Sequence, residues 1–502
     1  MADSRRRTWL FRTTAILVGL LPLLLLELVL RLTGLPAPDE LYDPWIAFED
    51  VRPLFELGNE QDRYQVAESR QAFFSESGFA ANKDSSGFRI FCLGGSTVQG
   101  RPYQPATAFG KWLELSLQAA DSSRQWEVVN CGGVSYASYR LVPILEEVLG
   151  HQPDLVIIYT GHNEFLEDRT YRDIREPSSL ARLSHQAVSH VRTVSLARRG
   201  WLALAGHSQD VARQQLPVEV EARLDPPGRG LASYQRDDNW HHEVTNHFGF
   251  NLRRMIQLTR QAGVPLLLVN PVEDLRDSPP FKSTFADTLN PGQLQHCEQL
   301  LKSAASGSSL LVRERIELLD ELLNIDPRRA DALYLQGRFM ELQGDVEEAK
   351  RLYLRAKDED LCPLRMTEAM HRLTVTLASQ QDVPLVDVRA DFSARMFPVV
   401  VGRPAMIDHV HPSIEGHQWI AAALLEQMVE MEMITLPKGW EQRRVKLVRD
   451  HMATLDEVYY AEGRRRLEGL RMWTRGLAGR IDLMINKDFQ SENLQPTVEE
   501  TP

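Results

Sequence analysis

Five apolar runs of strand length are spaced along the chain, and stretches with helical spacing lie between them. The runs are Phe88–Leu93, Trp126–Asn130, Leu155–Thr160, Pro265–Asn270 and Pro384–Val388. The helical stretches include Ala108–Ala120, Leu141–Val148 and Trp240–Ala262. Continuously apolar strands that alternate with helices are typical of a parallel sheet covered on both faces. The pattern therefore predicts a three-layer α/β fold with a central parallel sheet of about five strands.

The N-terminal segment has the pattern of a membrane anchor. Arginines at 5–7 and 12 precede the mostly apolar run 13–30, which is just long enough to span a bilayer. Because arginines are more frequent before the run than after it, the pattern predicts a single transmembrane helix with its N-terminus inside and the rest of the chain extracytoplasmic. Pro22 and Glu27 weaken the span. A cleaved signal peptide and a buried helix stay open as alternatives.

Changes in composition divide the chain into predicted segments. In chain order these are a signal anchor at 1–35, a lead-in at 36–84, the first part of the α/β domain at 85–290, a helical insert at 291–380, the last part of the α/β domain at 381–436, C-terminal helices at 437–485 and a disordered tail at 486–502. A further insertion at 171–239, which carries Arg, Ser, Pro and Gly, interrupts the first part. We expect it at the rim of the sheet, where loops usually provide substrate contacts.

The helical insert contains a pair of helices that resembles one tetratricopeptide repeat. Small residues at Gly337, Ala349 and Ala356 would let two antiparallel helices approach closely, with Gly344 in the turn between them. A plain helical hairpin is the alternative. Since fewer than three repeats rarely stand alone, we expect the insert to pack on the α/β domain. Its exposed side is a candidate surface for a protein partner.

The C-terminal helices are rich in arginine. Val448, Met452, Leu455 and Tyr459 follow helix spacing and give one apolar face. The run Arg464–Arg466 would contact anionic lipid if the chain is tethered to a membrane. A solvated face of a packed helix is the alternative interpretation of the same run.

Composition limits the classes of function. The net charge of −12 and the pI of about 5.7 argue against a nucleic-acid partner, which requires a basic face. Four cysteines do not make a disulfide scaffold, although Cys297 and Cys362 could pair in an exported chain. The spacing of the histidines in His242–His247 is one residue too long for a zinc motif, and Gly94-Gly95 lacks the lysine of a phosphate loop. We therefore predict no metal, no nucleotide and no other cofactor.

Three short motifs, far apart in sequence, supply the groups of a hydrolytic site. They read Gly94-Gly95-Ser96-Thr97, Gly161-His162-Asn163-Glu164 and Asp408-His409-Val410-His411-Pro412. The first two directly follow apolar runs, at the strand ends where open α/β sheets place their chemistry. A serine hydroxyl needs a base within hydrogen-bond reach, and that base needs an orienting acceptor. Ser96 is the candidate nucleophile, His411 the candidate base and Asp408 its partner, with His409 as the alternative base.

In this order the motifs resemble those of the SGNH (GDSL-type) hydrolases over roughly residues 85–170 and 260–430. The resemblance implies a flavodoxin-like sheet and an esterase or acyl-transfer activity. It places the serine at Ser96, the asparagine at Asn163, and the late Asp-x-x-His pair at Asp408 and His411, which favours His411 over His409.

The transition state of such a reaction needs donors for an oxyanion. The backbone N–H of Ser96 and the side-chain amide of Asn163 are two candidates. The family takes a third donor from a glycine after the second strand. Counting from Asn130 places that donor at Ser135, and a shift of two residues places it at Gly133.

Three more polar residues are candidates for substrate binding. His162 and Glu164 flank Asn163, and Arg140 follows the second strand block, where it could bind an anionic group. Hydrogen bonds within the loop for the first two, and an ion pair for Arg140, are the alternatives.

These observations predict a serine esterase that hydrolyses an ester-bearing small molecule, glycan or envelope lipid outside the cytoplasm. One alternative is an O-acyltransferase that uses the same residues with a polysaccharide hydroxyl as the acceptor. Another is a catalytically inert scaffold that binds a protein through the helical insert.

Overall fold

The structure is a computed structural model that describes residues 2–33, 43–171, 192–193, 196–197, 213–224, 230–306 and 310–477. The chain forms two compact units. One comprises Met1–Val51 and Arg169–Val218, and the other comprises Arg52–Asp168 and Glu219–Pro502. The predicted tail at 486–502 and most of the insertion at 171–239 lie outside the described residues.

The larger unit is built on a parallel sheet of five strands. Over both units the strands are β1 (Ile46–Phe48), β2 (Phe55–Leu57), β3 (Arg63–Val66), β4 (Gly78–Ala80), β5 (Gly87–Gly94), β6 (Gln125–Gly132), β7 (Leu155–Tyr159), β8 (Gln214–Leu216), β9 (Leu266–Asn270) and β10 (Leu385–Asp387). The central sheet has the order β6-β5-β7-β9-β10, and all its pairs are parallel. This is the flavodoxin-like order, with a topological switch point between β5 and β7. The structure thus confirms the predicted α/β fold and its five strands.

Helices cover the sheet on both faces. Over both units the described helices are α1 (Ala2–Thr33), α2 (Ser96–Gln99), α3 (Phe109–Ala120), α4 (Ser138–Val148), α5 (Asp238–Ala262), α6 (Pro291–Ser306), α7 (Val312–Ile325), α8 (Ala330–Leu342), α9 (Val346–Asp358), α10 (Glu368–Gln380), α11 (Val388–Met396), α12 (Ile414–Glu430), α13 (Trp440–Met452) and α14 (Glu457–Leu477). On one face α3 packs against α12 and α13, and on the other α4 packs against α5, which also contacts α10. Residues of β5, β7 and β9 share one buried core with α3 and α12.

The lead-in contains a small sheet that the sequence pattern does not predict. β2, β3 and β4 pair antiparallel within the larger unit. Each strand has only three or four residues, and charged side chains such as Glu56 and Arg63 lie within them. Such short polar runs do not stand out from loops, because their pairing depends on Phe55 and Phe79, whose rings meet in the buried core at 5.0 Å.

The smaller unit contains α1, β1 and β8, and β1 pairs parallel to β8. The apolar run 13–30 lies within α1, with Pro22 inside the helix and Glu27 paired to Arg31 at 2.8 Å. Among the described residues, no helix has both the length and the apolar character needed to cross a membrane. The predicted transmembrane helix is therefore not found, and the location of the chain in the cell stays a prediction.

The helical insert forms the expected hairpin and packs on the α/β domain. Gly344, at φ +86°, forms the turn between α8 and α9. The two helices approach so closely that a Cβ on Gly337 would lie 2.8 Å from the ring of Tyr353. Tyr334 donates a hydrogen bond of 2.6 Å to the carbonyl of Arg276. The hairpin is therefore part of the larger unit, while its identity as a tetratricopeptide repeat is not confirmed.

All four cysteines are free thiols and buried. Cys297 and Cys362, which could pair in an exported chain, do not form a disulfide. Cys297 lies in the core of α6, α7 and α8, whereas Cys362 belongs to a separate cluster with Leu166 and Phe281.

A buried ionic cluster joins the hairpin to the end of β9. Lys357 of α9 lies 2.6 Å from the carboxylate of Glu273 and 2.7 Å from that of Glu368. Three side chains lie close enough together to be metal ligands: Glu273, Glu368 and His371. Both carboxylates, however, are already in contact with Lys357 and Arg389. Burial would raise the pKa of Glu273, and the charges of His371, Lys357 and Arg389 hold that pKa well below its usual value.

Replacing Lys357 should destabilise the protein strongly. Lys357→Met removes the cation and leaves Glu273 buried beside fewer positive charges, so we expect the free energy of unfolding to fall by about 3 kcal/mol. Arg351→Met is the matched control in α9. It removes an exposed pair with Glu348 and should cost less than about 1 kcal/mol. Urea denaturation measures both values, and equal losses in the two variants would contradict this role of the cluster.

Candidate active site

The structure brings Ser96, His411 and Asp408 into one hydrogen-bonded chain. Ser96 Oγ lies 2.7 Å from His411 Nε2. His411 Nδ1 lies 2.7 Å from Asp408 Oδ2 and 2.9 Å from Oδ1. This arrangement can withdraw the hydroxyl proton of a serine and hold the imidazolium that results.

Asp408 is held as a carboxylate. Its Oδ1 accepts hydrogen bonds from the backbone N–H groups of Val410 at 3.0 Å and His411 at 2.9 Å. Burial alone would raise the pKa of this carboxyl, but the His411 ring and these bonds hold it well below its usual value. Asp408 is thus a hydrogen-bond acceptor at neutral pH, as the orientation of a histidine base requires.

The loops that carry these groups are tied together. Ser96 opens α2, immediately after β5, and the side chain of Thr97 donates a hydrogen bond of 3.1 Å to the carbonyl of Val410. Ser413 ends the histidine loop, and its hydroxyl accepts from the N–H of Gly416 to cap α12. The nucleophile turn and the histidine loop are therefore fixed relative to each other by contacts outside the triad.

Asn163 lies beside the serine, where β7 ends. Its Nδ2 donates to the carbonyl of Tyr136 at 3.0 Å, which orients the amide. A Cβ on Gly95 would lie 2.5 Å from that Nδ2. Position 95 therefore requires a glycine for steric reasons, because any side chain there would displace the amide of Asn163.

Of the two candidates for a third oxyanion donor, the structure favours Ser135. The N–H of Gly133 donates to the carbonyl of Gly94 at 3.0 Å. The alternative placement of the third oxyanion donor at Gly133 is therefore not supported, because this N–H is already used. Ser135 lines the same cavity as Ser96 and Asn163, and its N–H has no acceptor among the described residues. Its φ of +63° lies in the left-handed region that favours glycine, which matches the glycine that the resemblance places here.

The three candidate substrate contacts have structural partners instead. Glu164 is fully buried and accepts from the N–H of Ser138 at 2.6 Å, at the start of α4. Arg140 is buried and forms two hydrogen bonds of 2.6 Å with Glu167. His162 accepts from the N–H of Met366 at 3.3 Å. The expectation that these side chains bind substrate is corrected, because they do not line the cavity at Ser96.

Buried histidines surround the triad. Burial lowers the pKa of His409 to about 4 and the pKa values of His162 and His417 to about 3. His409 also lines the cavity, but its Nδ1 lies 3.6 Å from Asp408, and its ring packs edge-on against Phe281. It is His411 that the structure brings to the serine.

A cavity of about 120 Å³ opens at Ser96. Besides Val410 of the third motif, its wall contains residues that the sequence motifs do not indicate: Arg101, Pro102, Val134, Leu166, Leu364, Arg466 and Leu470. Arg466 and Leu470 come from α14. The only sequence signal that this part of the chain packs on the domain was the predicted apolar helix face that includes Tyr459.

No family model and no curated protein matches the chain. Solved structures to which it is similar include a catalytic mutant of an acetylxylan esterase from Geobacillus stearothermophilus (13% identity, 69% of this chain and 96% of that chain, TM-score 0.30). A GDSL-like lipase from Parabacteroides merdae is similar at 13% identity over 70% of this chain and 98% of that one (TM-score 0.32). A lipase/acylhydrolase from Enterococcus faecalis is similar at 10% identity over 70% and 100% (TM-score 0.30).

The buried ring of His417 should make the stability depend on pH. Neither ring nitrogen has a hydrogen-bond partner among the described residues. As the pH falls below about 6.5 the unfolded chain binds a proton there, whereas the folded chain resists it down to a pKa of about 3. His417 therefore costs stability at pH 5 but not at pH 8.

We expect His417→Phe to raise the free energy of unfolding at pH 5 by about 2 kcal/mol more than at pH 8. Urea denaturation at the two pH values measures this difference, with pH 8 as the internal control. The same effect of the substitution at both values would show that the ring is not held neutral by burial.

Proposed function

We propose that the protein is a serine esterase with Ser96 as the nucleophile. The oxygen of Ser96 forms a bond to the carbonyl carbon of an ester while its proton passes to Nε2 of His411. The tetrahedral intermediate then breaks its bond to the alcohol oxygen, which takes the proton from His411. Asp408 holds the ring and stabilises its positive charge in between.

Hydrolysis of the resulting acyl-enzyme reverses these roles. Water loses a proton to His411 as it attacks the acyl carbon, and Ser96 recovers that proton as it leaves. In both steps the negative oxygen is proposed to accept from the N–H groups of Ser96 and Ser135 and from Nδ2 of Asn163.

The observation that carries this proposal is the pair of 2.7 Å contacts that join Ser96 Oγ through the His411 ring to the buried Asp408. A structural hydrogen bond to a serine does not require a carboxylate behind the histidine.

Labelling with a fluorophosphonate probe should modify Ser96 alone. The probe reacts with a serine whose hydroxyl is activated by a base. We expect mass spectrometry to place the adduct on Ser96, and both Ser96→Ala and His411→Ala to abolish it. His409→Gln is the matched control and should retain labelling. A folded protein that does not react would refute the proposal, and labelling that survives in His411→Ala would refute the role of the base.

Asn163 should contribute to rate more than to stability. Asn163→Ala removes one proposed oxyanion donor, and we expect kcat for 4-nitrophenyl acetate to fall by about 100-fold or more. Ser135→Gly keeps the backbone N–H and should stay within about 2-fold of the wild type. Equal losses in the two variants would show that the side chain of Ser135, rather than its backbone, is used.

A further inference from the structure

Two arginines from distant parts of the chain line the cavity that contains Ser96. Arg101 follows the nucleophile turn, and Arg466 comes from α14, 365 residues later. The described residues that line this cavity include no aspartate and no glutamate. The wall of the cavity is therefore positively charged, apart from any charge on its histidines.

Contacts to the segment after the nucleophile turn fix α14 in this position. The hydroxyl of Tyr459 lies 2.7 Å from Oγ1 of Thr107, and its ring stacks on Tyr103 with a centroid distance of 6.0 Å. A Cβ on Gly463 would overlap the ring of Tyr103. Arg466 lies three residues after Gly463, on the same face of α14, so the docking of the helix sets the position of its guanidinium.

The two guanidiniums have unused donors. Arg101 donates from Nε to Gln99 at 2.8 Å, and its terminal nitrogens have no acceptor within the described part of the chain. Arg466 contacts Glu462 through NH2 at 2.9 Å, whereas its NH1 is buried without a partner among the described residues. Burial and the nearby charge of Arg466 both lower the pKa of Arg101. A buried guanidinium nitrogen without an acceptor, such as NH1 of Arg466, is costly, and an anion bound between the two arginines would remove that cost.

We propose that the ester substrate carries an anionic group, a carboxylate or a phosphate, that Arg101 and Arg466 bind while Ser96 attacks. This inference rests on the proposed function and names the class of its substrate. The planar guanidinium is suited to both anions because its parallel N–H groups match two oxygens of either. Arg101 and Arg466 are thus substrate-binding residues that determine specificity and take no part in proton transfer.

The neighbouring arginines of α14 serve as controls. Arg464 is 59% exposed and pairs with Glu457, away from the lining of the cavity. Of the run Arg464–Arg466, only Arg466 lines the cavity. Arg464→Met therefore changes the charge of α14 by the same amount as Arg466→Met without touching the proposed anion site.

Matched acetyl esters test the inference. They are 4-acetoxybenzoate and 4-acetoxyphenyl phosphate, with the neutral 4-acetoxybenzamide as the comparison. We expect the full chain to prefer an anionic ester by at least about 10-fold in kcat/KM, since a charged hydrogen bond contributes that much. Whichever anion gives the larger preference identifies the group. In Arg466→Met and Arg101→Met we expect kcat/KM to fall more on the anionic esters than on the neutral ester 4-acetoxybenzamide, so that the preference is lost. Arg466→Lys should keep part of the preference, and Arg464→Met should keep all of it.

A second readout does not depend on turnover. Benzoate or inorganic phosphate should slow fluorophosphonate labelling of Ser96 in the wild type and in Arg464→Met, but not in Arg466→Met. Labelling that neither anion slows, or equal rates on charged and neutral esters, would overturn the anion site and leave the proposed esterase standing. An equal loss on all three esters in Arg466→Met would assign the residue to the packing of α14 and also overturn the site. A folded wild type that is neither labelled nor active refutes the proposed function itself.

Discussion

The hydrogen bond between Ser96 Oγ and His411 Nε2 joins residues that are 315 positions apart, and the fold of the larger unit is what makes it possible. β5 and β7 are neighbours in the sheet although β6 lies between them in sequence, and this switch point opens the crevice in which Ser96 and Asn163 meet. The histidine loop reaches the same crevice because Thr97 holds the carbonyl of Val410. The geometry of the site therefore depends on strand order first and on local hydrogen bonds second.

Two helical additions meet the α/β domain in different ways. The hairpin of α8 and α9 enters the chain between β9 and β10 and is anchored by Lys357 to Glu273, which follows the carboxyl end of β9, two strands away from β5. No residue of these two helices lines the cavity at Ser96. A buried ion pair adds little net stability, but the loss of either partner is strongly destabilising. The pair therefore fixes the position of the hairpin on the domain. α14, in contrast, forms part of the wall of the cavity, because the contact of Tyr459 with Thr107 holds the helix there.

Much of the fold and the core of the site could be predicted because both leave local signals. The five central strands are mostly apolar, so their ends follow from the sequence to within two residues. Ser96 and Asn163 directly follow two of these strands, and Asp408 and His411 are three residues apart on one loop. The small sheet β2-β3-β4 could not be predicted, since its pairing depends on tertiary contacts. The same holds for Arg140, whose partner Glu167 is 27 residues away and meets it only in the folded chain.

Ser135, the proposed oxyanion donor, and Arg466, the proposed anion-binding residue, show two different ways in which a position can escape a sequence motif. Ser135 lines the cavity with a left-handed backbone, although it lacks the glycine that would signal that conformation. A backbone donor does not depend on its side chain, so the motif can change while the geometry stays. Arg466 depends on its side chain but reaches the cavity through the packing of a helix from outside the α/β domain. Its proposed role in binding an anion therefore depends on the packing of Gly463 against Tyr103, a contact that is seen only in the folded chain.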